Sequence, residues 1–125
     1  MKPLHFMGSS QKDLKSLPSE VRREAGFAIY MAQQGGKALH AFPLVGFGGS
    51  NVLEVVINED GNTYRTIYTV KFEMAVYVLH VFQKKSKRGS ETPRPDVALI
   101  RKRFMDAAAH YKLNYASKIR KDVSA

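Results

Sequence analysis

At 125 residues, with 44% hydrophobic and 10% aromatic side chains, the chain suits one globular domain with one core, stable without metals or disulfides. It has no cysteine, which excludes disulfides, thiolate metal sites and a cysteine nucleophile and fits a reducing compartment. Lysine and arginine number 20 against 11 aspartate and glutamate, a net charge of +9 that makes polyanions, nucleic acid first, the expected partner class unless the lysines serve only solubility.

The start, Met1 to Met7, lacks the sustained apolar stretch of a signal peptide, and no segment approaches the length of a membrane span. The expectation is a cytoplasmic protein with no membrane association. After a short apolar stretch from Leu4 to Met7, Ser9 or Ser10 can cap a first helix, with Asp13 favouring its N-terminal turn. Pro18 stands where the first turn of a second helix tolerates it. Val21, Ala25, Ala28, Ile29 and Ala32 then recur at helical spacing until Gly35-Gly36 stops the pattern, giving a helical hairpin.

Pro43 to Ser50 is rich in glycine, but a phosphate-cradling loop would end in Gly-Lys-Ser/Thr and lead into a helix. Here Val52 to Ile57 reads as a strand, so the glycines are expected to be structural. Three antiparallel strands are predicted: Val52 to Ile57, Thr63 to Phe72 and Val76 to Gln83. Asp60-Gly61 forms the first hairpin turn, and a tight junction at Glu73-Met74 forms the second. A basic loop from Lys84 to Gly89 follows. Thr92-Pro93-Arg94-Pro95-Asp96 then leads into a third helix with Val97, Ile100, Phe104, Ala108 and Tyr111 on one face. The domain is expected to span 1–112, with 113–125 a basic tail that frays or depends on a partner.

Two-residue turns set a register in which Arg65 lies opposite Val56 on one side and Phe82 on the other, with Ile67 opposite His80 and Thr63 opposite Lys84. One face then collects Glu54, Arg65, His80, Phe82 and Lys84. The other, with Val55, Ile57, Tyr64, Tyr68, Val70, Tyr77, Leu79 and Val81, is apolar enough to receive the helices, which leaves the Arg65 face at least partly open. Arg65 can bind phosphate through its planar guanidinium or simply pair with Glu54. His80 can serve as a general acid or base or as a packed strand histidine; Phe82 can stack an unpaired base or fill the core. Lys84, Lys85, Lys87 and Arg88, followed by Arg94 and the run Arg101-Lys102-Arg103, form either a solvated charge run or a set of phosphate contacts. No other histidine has metal-ligand spacing with His80, and no cofactor is expected.

Tyr64-Arg65-Thr66-Ile67-Tyr68 and Val76-Tyr77-Val78-Leu79-His80-Val81-Phe82-Gln83-Lys84-Lys85-Ser86, with Thr92-Pro93 after them, resemble phage-derived HigB-type toxins of the RelE/ParE superfamily over residues 4 to 112. The resemblance implies an α+β, RelE-like fold: an N-terminal helical hairpin and a C-terminal helix packed on a small, mainly antiparallel twisted sheet. It implies a toxin that cleaves messenger RNA, commonly on the ribosome, and is neutralised by an antitoxin, often a helix-turn-helix protein; a homo-oligomer is compatible with it. Arg65 matches the strand arginine that contacts substrate phosphate, and Lys84 and Lys85 match the basic pair at the end of the last strand. With His80 these are the candidate catalytic residues; Phe82, Lys87, Arg88 and Arg94 are candidates for nucleic-acid binding, and Glu54 supports Arg65. Two departures stand out. Glu54-Val55-Val56 replaces the Glu-Leu-Arg of many relatives, and the C-terminal catalytic tyrosine of several has no clear counterpart. A ParE-like inhibitor of DNA gyrase, or a non-toxic phage nucleic-acid-binding protein, is the alternative.

Overall fold

Asp60 and Gly61 both take positive φ, 52° and 80°, as a two-residue hairpin turn of the I′ kind requires. Glycine accepts such angles without a steric penalty, and aspartate is among the few side-chain-bearing residues that tolerate them. In the computed structural model, which describes residues 1–84 and 92–124 with side chains as far as Ala116, this turn joins β3 (Val52–Glu59) to β4 (Asn62–Thr69). Val56 pairs with Arg65 and Glu54 with Ile67, as the sequence predicts.

The full order is β1 (Leu4–Phe6), α1 (Ser10–Lys15), α2 (Ser19–Gln33), β2 (Ala41–Pro43), β3, β4, β5 (Val76–Lys84) and α3 (Arg94–Ser124). The five strands lie side by side as β1-β5-β4-β3-β2, with β1 parallel to β5 and the other neighbours antiparallel. The fold is therefore α+β with a mixed sheet. The short strands β1 and β2 are additions to the three predicted. The glycine-rich loop connects β2 to β3 as a hairpin, and no helix follows it, so its glycines are structural.

Pro18, with its extended backbone, immediately precedes α2. At the other end the Gly36 N–H bonds the Met31 carbonyl at 2.8 Å and the Gly35 N–H bonds that of Ala32 at 3.0 Å. These paired bonds satisfy the last carbonyls of the helix and end it where the sequence predicts. The predicted stripe of Val21, Ala25, Ala28, Ile29 and Ala32 is buried against Val55, Ile57, Tyr64 and Tyr68.

Two expectations about the sheet are corrected. The connection from β4 to β5 runs from Val70 to Ala75 and is not a two-residue junction; an irregularity in β5 compensates for it. Ile67 pairs with His80 but its neighbour Tyr68 pairs with Val78, so Leu79 is an extra residue, a β-bulge. From His80 to Lys84 the predicted register holds, but before the bulge the alternation is reversed. Tyr77 and Leu79 consequently face the Arg65 side with Ile67 and Val52, while Val76 and Val78 join the α2 side.

The Arg65 face is also less open than expected, because α3 lies across part of it. Ile100, Ala107 and Tyr115 are buried there with Tyr77 and Leu79, and Phe104, Ala108 and Tyr111 pack around them. The helices thus divide between the two faces of the sheet, giving two cores. The boundary drawn at residue 112 falls inside α3, which continues to Ser124, and beyond it Tyr115 is buried and hydrogen bonded to His5 Nε2 at 2.6 Å. Ile100, fully enclosed, should be the anchor of this second core. Ile100→Ala is expected to destabilise the fold by about 2–5 kcal/mol, measured by urea unfolding. A loss below about 1 kcal/mol, smaller than the usual cost of emptying such a site, would show that α3 does not pack here.

Candidate functional site

Arg65 sits mid-strand with only 4% of its surface exposed. Its Nη1 donates to Glu54 Oε2 at 3.3 Å and to Thr92 Oγ1 at 3.4 Å, both long for bonds from a guanidinium, and its buried Nε has no hydrogen-bond partner among the described residues. A buried cation with an unused donor is costly. The desolvation of the arginine has been met by folding, which leaves its guanidinium preorganised toward a negative partner, here Glu54.

Glu54 is half-buried beside it, on the same face two residues from Val56, the strand partner of Arg65. Burial pushes its carboxyl pKa up from 4.5, and the positive charges of Arg65 and Lys84 pull partly against that rise. Lys84, partly exposed at the end of β5, therefore belongs to the same electrostatic group. The predicted grouping of Glu54, Arg65 and Lys84 is brought together.

His80 lies deeper, next to α3. Its Nε2 is 2.7 Å from Asp96 Oδ1 and its Nδ1 is 3.3 Å from Arg103 Nη1. An arginine can only donate, so Nδ1 must accept and carries no proton; the ring proton is then on Nε2 and is given to Asp96. Both nitrogens are engaged, which leaves neither lone pair open to take a proton from a substrate. Phe82 stacks on this ring at 4.6 Å, nearly parallel, with its outer side partly exposed. The sequence puts His80 on the right face but does not show what it is bonded to.

Arg94 is exposed at the start of α3. Lys85, Lys87 and Arg88 lie outside the described residues. The later run has other duties: Arg101 bonds the Gly46 carbonyl at 3.1 Å and covers the Phe47 ring, Lys102 pairs with Asp106 at 3.0 Å, and Arg103 is buried. The buried Arg103 therefore has a structural role, while Arg101 and Lys102 remain on the surface. Among the described residues no three histidine, aspartate or glutamate side chains come together as a metal site.

Thr92 and Asp96 were not among the candidates from sequence, and Arg103 was read there only as part of a surface charge run or a phosphate contact. A signal was available for two of them, since Asp96, Ile100, Arg103 and Ala107 share one helical stripe and polar residues on a buried stripe call for partners. The C-terminal tyrosines do not supply a missing catalytic group at Arg65. Tyr111 and Tyr115 stack on each other at the other end of β5, where Tyr111 Oη accepts from the Met74 N–H and Tyr115 meets His5.

A family model described as phage derived protein Gp49-like (DUF891) matches residues 12–105, which carries the chain from α1 through the Arg65 strand to the first turns of α3. The chain belongs to this phage-derived family. The match takes in Glu54, Arg65, His80, Lys84, Thr92, Asp96 and Arg103, so the whole arrangement lies within the family's span. Among the curated proteins nothing matches. No helix among the described residues is long and apolar enough to cross a membrane.

Proposed function

We propose that the chain is a RelE-like, HigB-type toxin that cuts messenger RNA, with Arg65 holding the scissile phosphate. The observation that carries this reading is the buried Arg65 guanidinium, its Nε without a partner among the described residues, set beside a carboxylate and a lysine. Its membership of a phage-derived family and the strand motifs around Arg65 and Lys84 support it. On this reading Glu54, and not His80, takes the proton from a ribose 2′-hydroxyl. The 2′-oxygen forms a bond to the adjacent phosphorus, and the bond from phosphorus to the 5′-oxygen breaks. The 5′-oxygen leaves as a hydroxyl after taking a proton from water, and a 2′,3′-cyclic phosphate remains. Arg65 and Lys84 stabilise the negative charge that gathers on the phosphoryl oxygens, while Phe82 offers its exposed side to a neighbouring base. Such a toxin would work in the cytoplasm, engage messenger RNA on the ribosome and be restrained by a cognate antitoxin.

Induced expression followed by mapping of transcript ends tests the reading: growth arrest with new cyclic-phosphate ends is expected, and arrest without new ends would reject cleavage. Binding of a short RNA should weaken steeply with salt, log Kd rising by about 0.7 per tenfold increase in salt for each phosphate engaged. Fluorescence titration from 50 to 200 mM salt measures it; a flat response would rule out a phosphate-driven site.

The position of Tyr111 and Tyr115, far along β5 from Arg65, favours a second reading, a ParE-like inhibitor of DNA gyrase that needs no catalytic tyrosine. Supercoiling assays separate the two, because only this one predicts gyrase-dependent DNA damage with intact messenger RNA.

A further inference from the structure

Arg103 is buried to 8% exposure, yet it forms no ion pair with a carboxylate among the described residues. Instead Nη1 donates to the Leu79 carbonyl at 3.0 Å and faces His80 Nδ1 at 3.3 Å, while Nη2 donates to Ser9 Oγ at 3.1 Å. Ser9 in turn donates to Asp13 Oδ2 at 2.7 Å, so its hydroxyl is spent on this chain and not on capping the backbone of α1. The result is one connected path, Asp13 to Ser9 to Arg103 to His80 to Asp96, that ties α1, the bulge in β5 and the first turn of α3 together. The Leu79 carbonyl that accepts from Arg103 belongs to the extra residue of the bulge.

The local backbone is shaped around this guanidinium. Gly8 has φ +55°, and a Cβ built on it would fall 2.6 Å from Arg103 Nε, closer than real side chains approach. If stability alone were at stake, a hydrophobic side chain would fill the same space at lower cost, since buried charges are rarely a net gain. What a hydrocarbon cannot do is occupy the lone pair of His80 Nδ1.

We infer that Arg103 is a positioning residue: it holds His80 as the Nε2–H tautomer and, through the His80–Asp96 bond, fixes the start of α3 so that Thr92 stays against Arg65. Two residues separate Pro93 from Asp96, and the Val97 N–H bonds the Pro93 carbonyl at 3.0 Å, so Thr92 and Asp96 are carried by one rigid turn. If His80 is free to present Nδ1–H to another acceptor, Asp96 loses its donor, the turn loosens and the Thr92 hydroxyl no longer meets Arg65. The tautomer claim stands independently of the proposed activity; only its consequence for cleavage rests on that reading.

The test compares Arg103→Met, which keeps length and packing but has no donor, with Arg103→Lys, which keeps a cationic donor. Imidazole ¹⁵N spectra of the full-length protein at neutral pH should show a single Nε2–H tautomer for His80 in wild type and the Lys variant, and a tautomer mixture in the Met variant. RNA cleavage by the Met variant should fall by about 10²-fold in kcat with KM within a few-fold, as expected for a misplacement of about 1 Å at a site, and the Lys variant should recover most of it. Melting temperatures of both variants are recorded alongside. A single Nε2–H tautomer in Arg103→Met overturns the inference, as do Met and Lys variants that match each other in tautomer and rate. If wild type itself cleaves no RNA, the proposed function fails while the spectra still decide the role of Arg103.

Discussion

Arg65→Ala is expected to lower RNA cleavage by roughly 10²–10³-fold, the usual loss when one preorganised donor is taken from a developing oxyanion. The magnitude follows from where the guanidinium is. At 4% exposure it stands where water screens it little, and among the described residues its Nε is uncommitted while Nη1 makes only long bonds to Glu54 and Thr92. Arg65→Lys should recover little, because an ammonium is a point charge and cannot reach the phosphate and Glu54 with the same planar fork. Single-turnover cleavage of a short RNA measures both variants. Thermal melts establish that they are folded, since removing Arg65 leaves the half-buried Glu54 without the strand cation that partly offsets its burial. A folded Arg65→Ala protein that cuts RNA within a few-fold of wild type would remove the site from consideration.

The next largest effect is expected at Glu54. Glu54→Gln keeps the shape of the side chain and can still accept from Arg65, but it cannot take a proton, and a loss of about 10²–10⁴-fold is typical when a general base is removed. The pH profile gives the sharper test. Burial raises the Glu54 pKa above 4.5, so the wild-type rate should fall as pH drops through a midpoint higher than an ordinary glutamate would give, and Glu54→Gln should lose that limb. The contribution of Glu54 to stability runs in the other direction. A carboxyl with a raised pKa in the folded state is held ionised against its burial at neutral pH, a cost that grows as pH rises through the folded pKa and vanishes below 4.5, where folded and unfolded chains are both protonated. Loss of activity on acidification therefore cannot be traced to Glu54 unfolding the protein. An identical acid limb in Glu54→Gln would move the base elsewhere.

Local chemistry made much of this legible from the sequence. Asp60-Gly61 specifies its own turn, and the alternation on either side places Glu54 and Arg65 on one face; His80, Phe82 and Lys84 join them as expected only because the bulge at Leu79 offsets the longer connection between β4 and β5. The α2 stripe and the Gly35-Gly36 stop are equally local. Long-range choices were not legible. Nothing in the pattern of α3 says which face of the sheet it covers, because both faces offer apolar residues, and a bulge leaves no mark when Val78, Leu79, His80 and Val81 are all plausible strand residues. Hydrogen-bond partners 16 to 94 residues apart, such as Asp96 for His80 and Ser9 for Arg103, depend on both choices. That is why His80 could be placed correctly and still be assigned a proton-transfer role that its two committed nitrogens do not favour.

The extra residue at Leu79 means that β5 is two half-strands in opposite phase. Its first half turns Val76 and Val78 to one core, and its second turns Val81 to that same core while handing His80 and Phe82 to the opposite side. Leu79 and His80 end up on the same face in succession, something a regular strand forbids. The count of residues between Val78 and Val81 is thus as much a component of the site as the charge on Arg65: chain length here acts like a phase shifter, deciding which side chains the two cores and the site each receive.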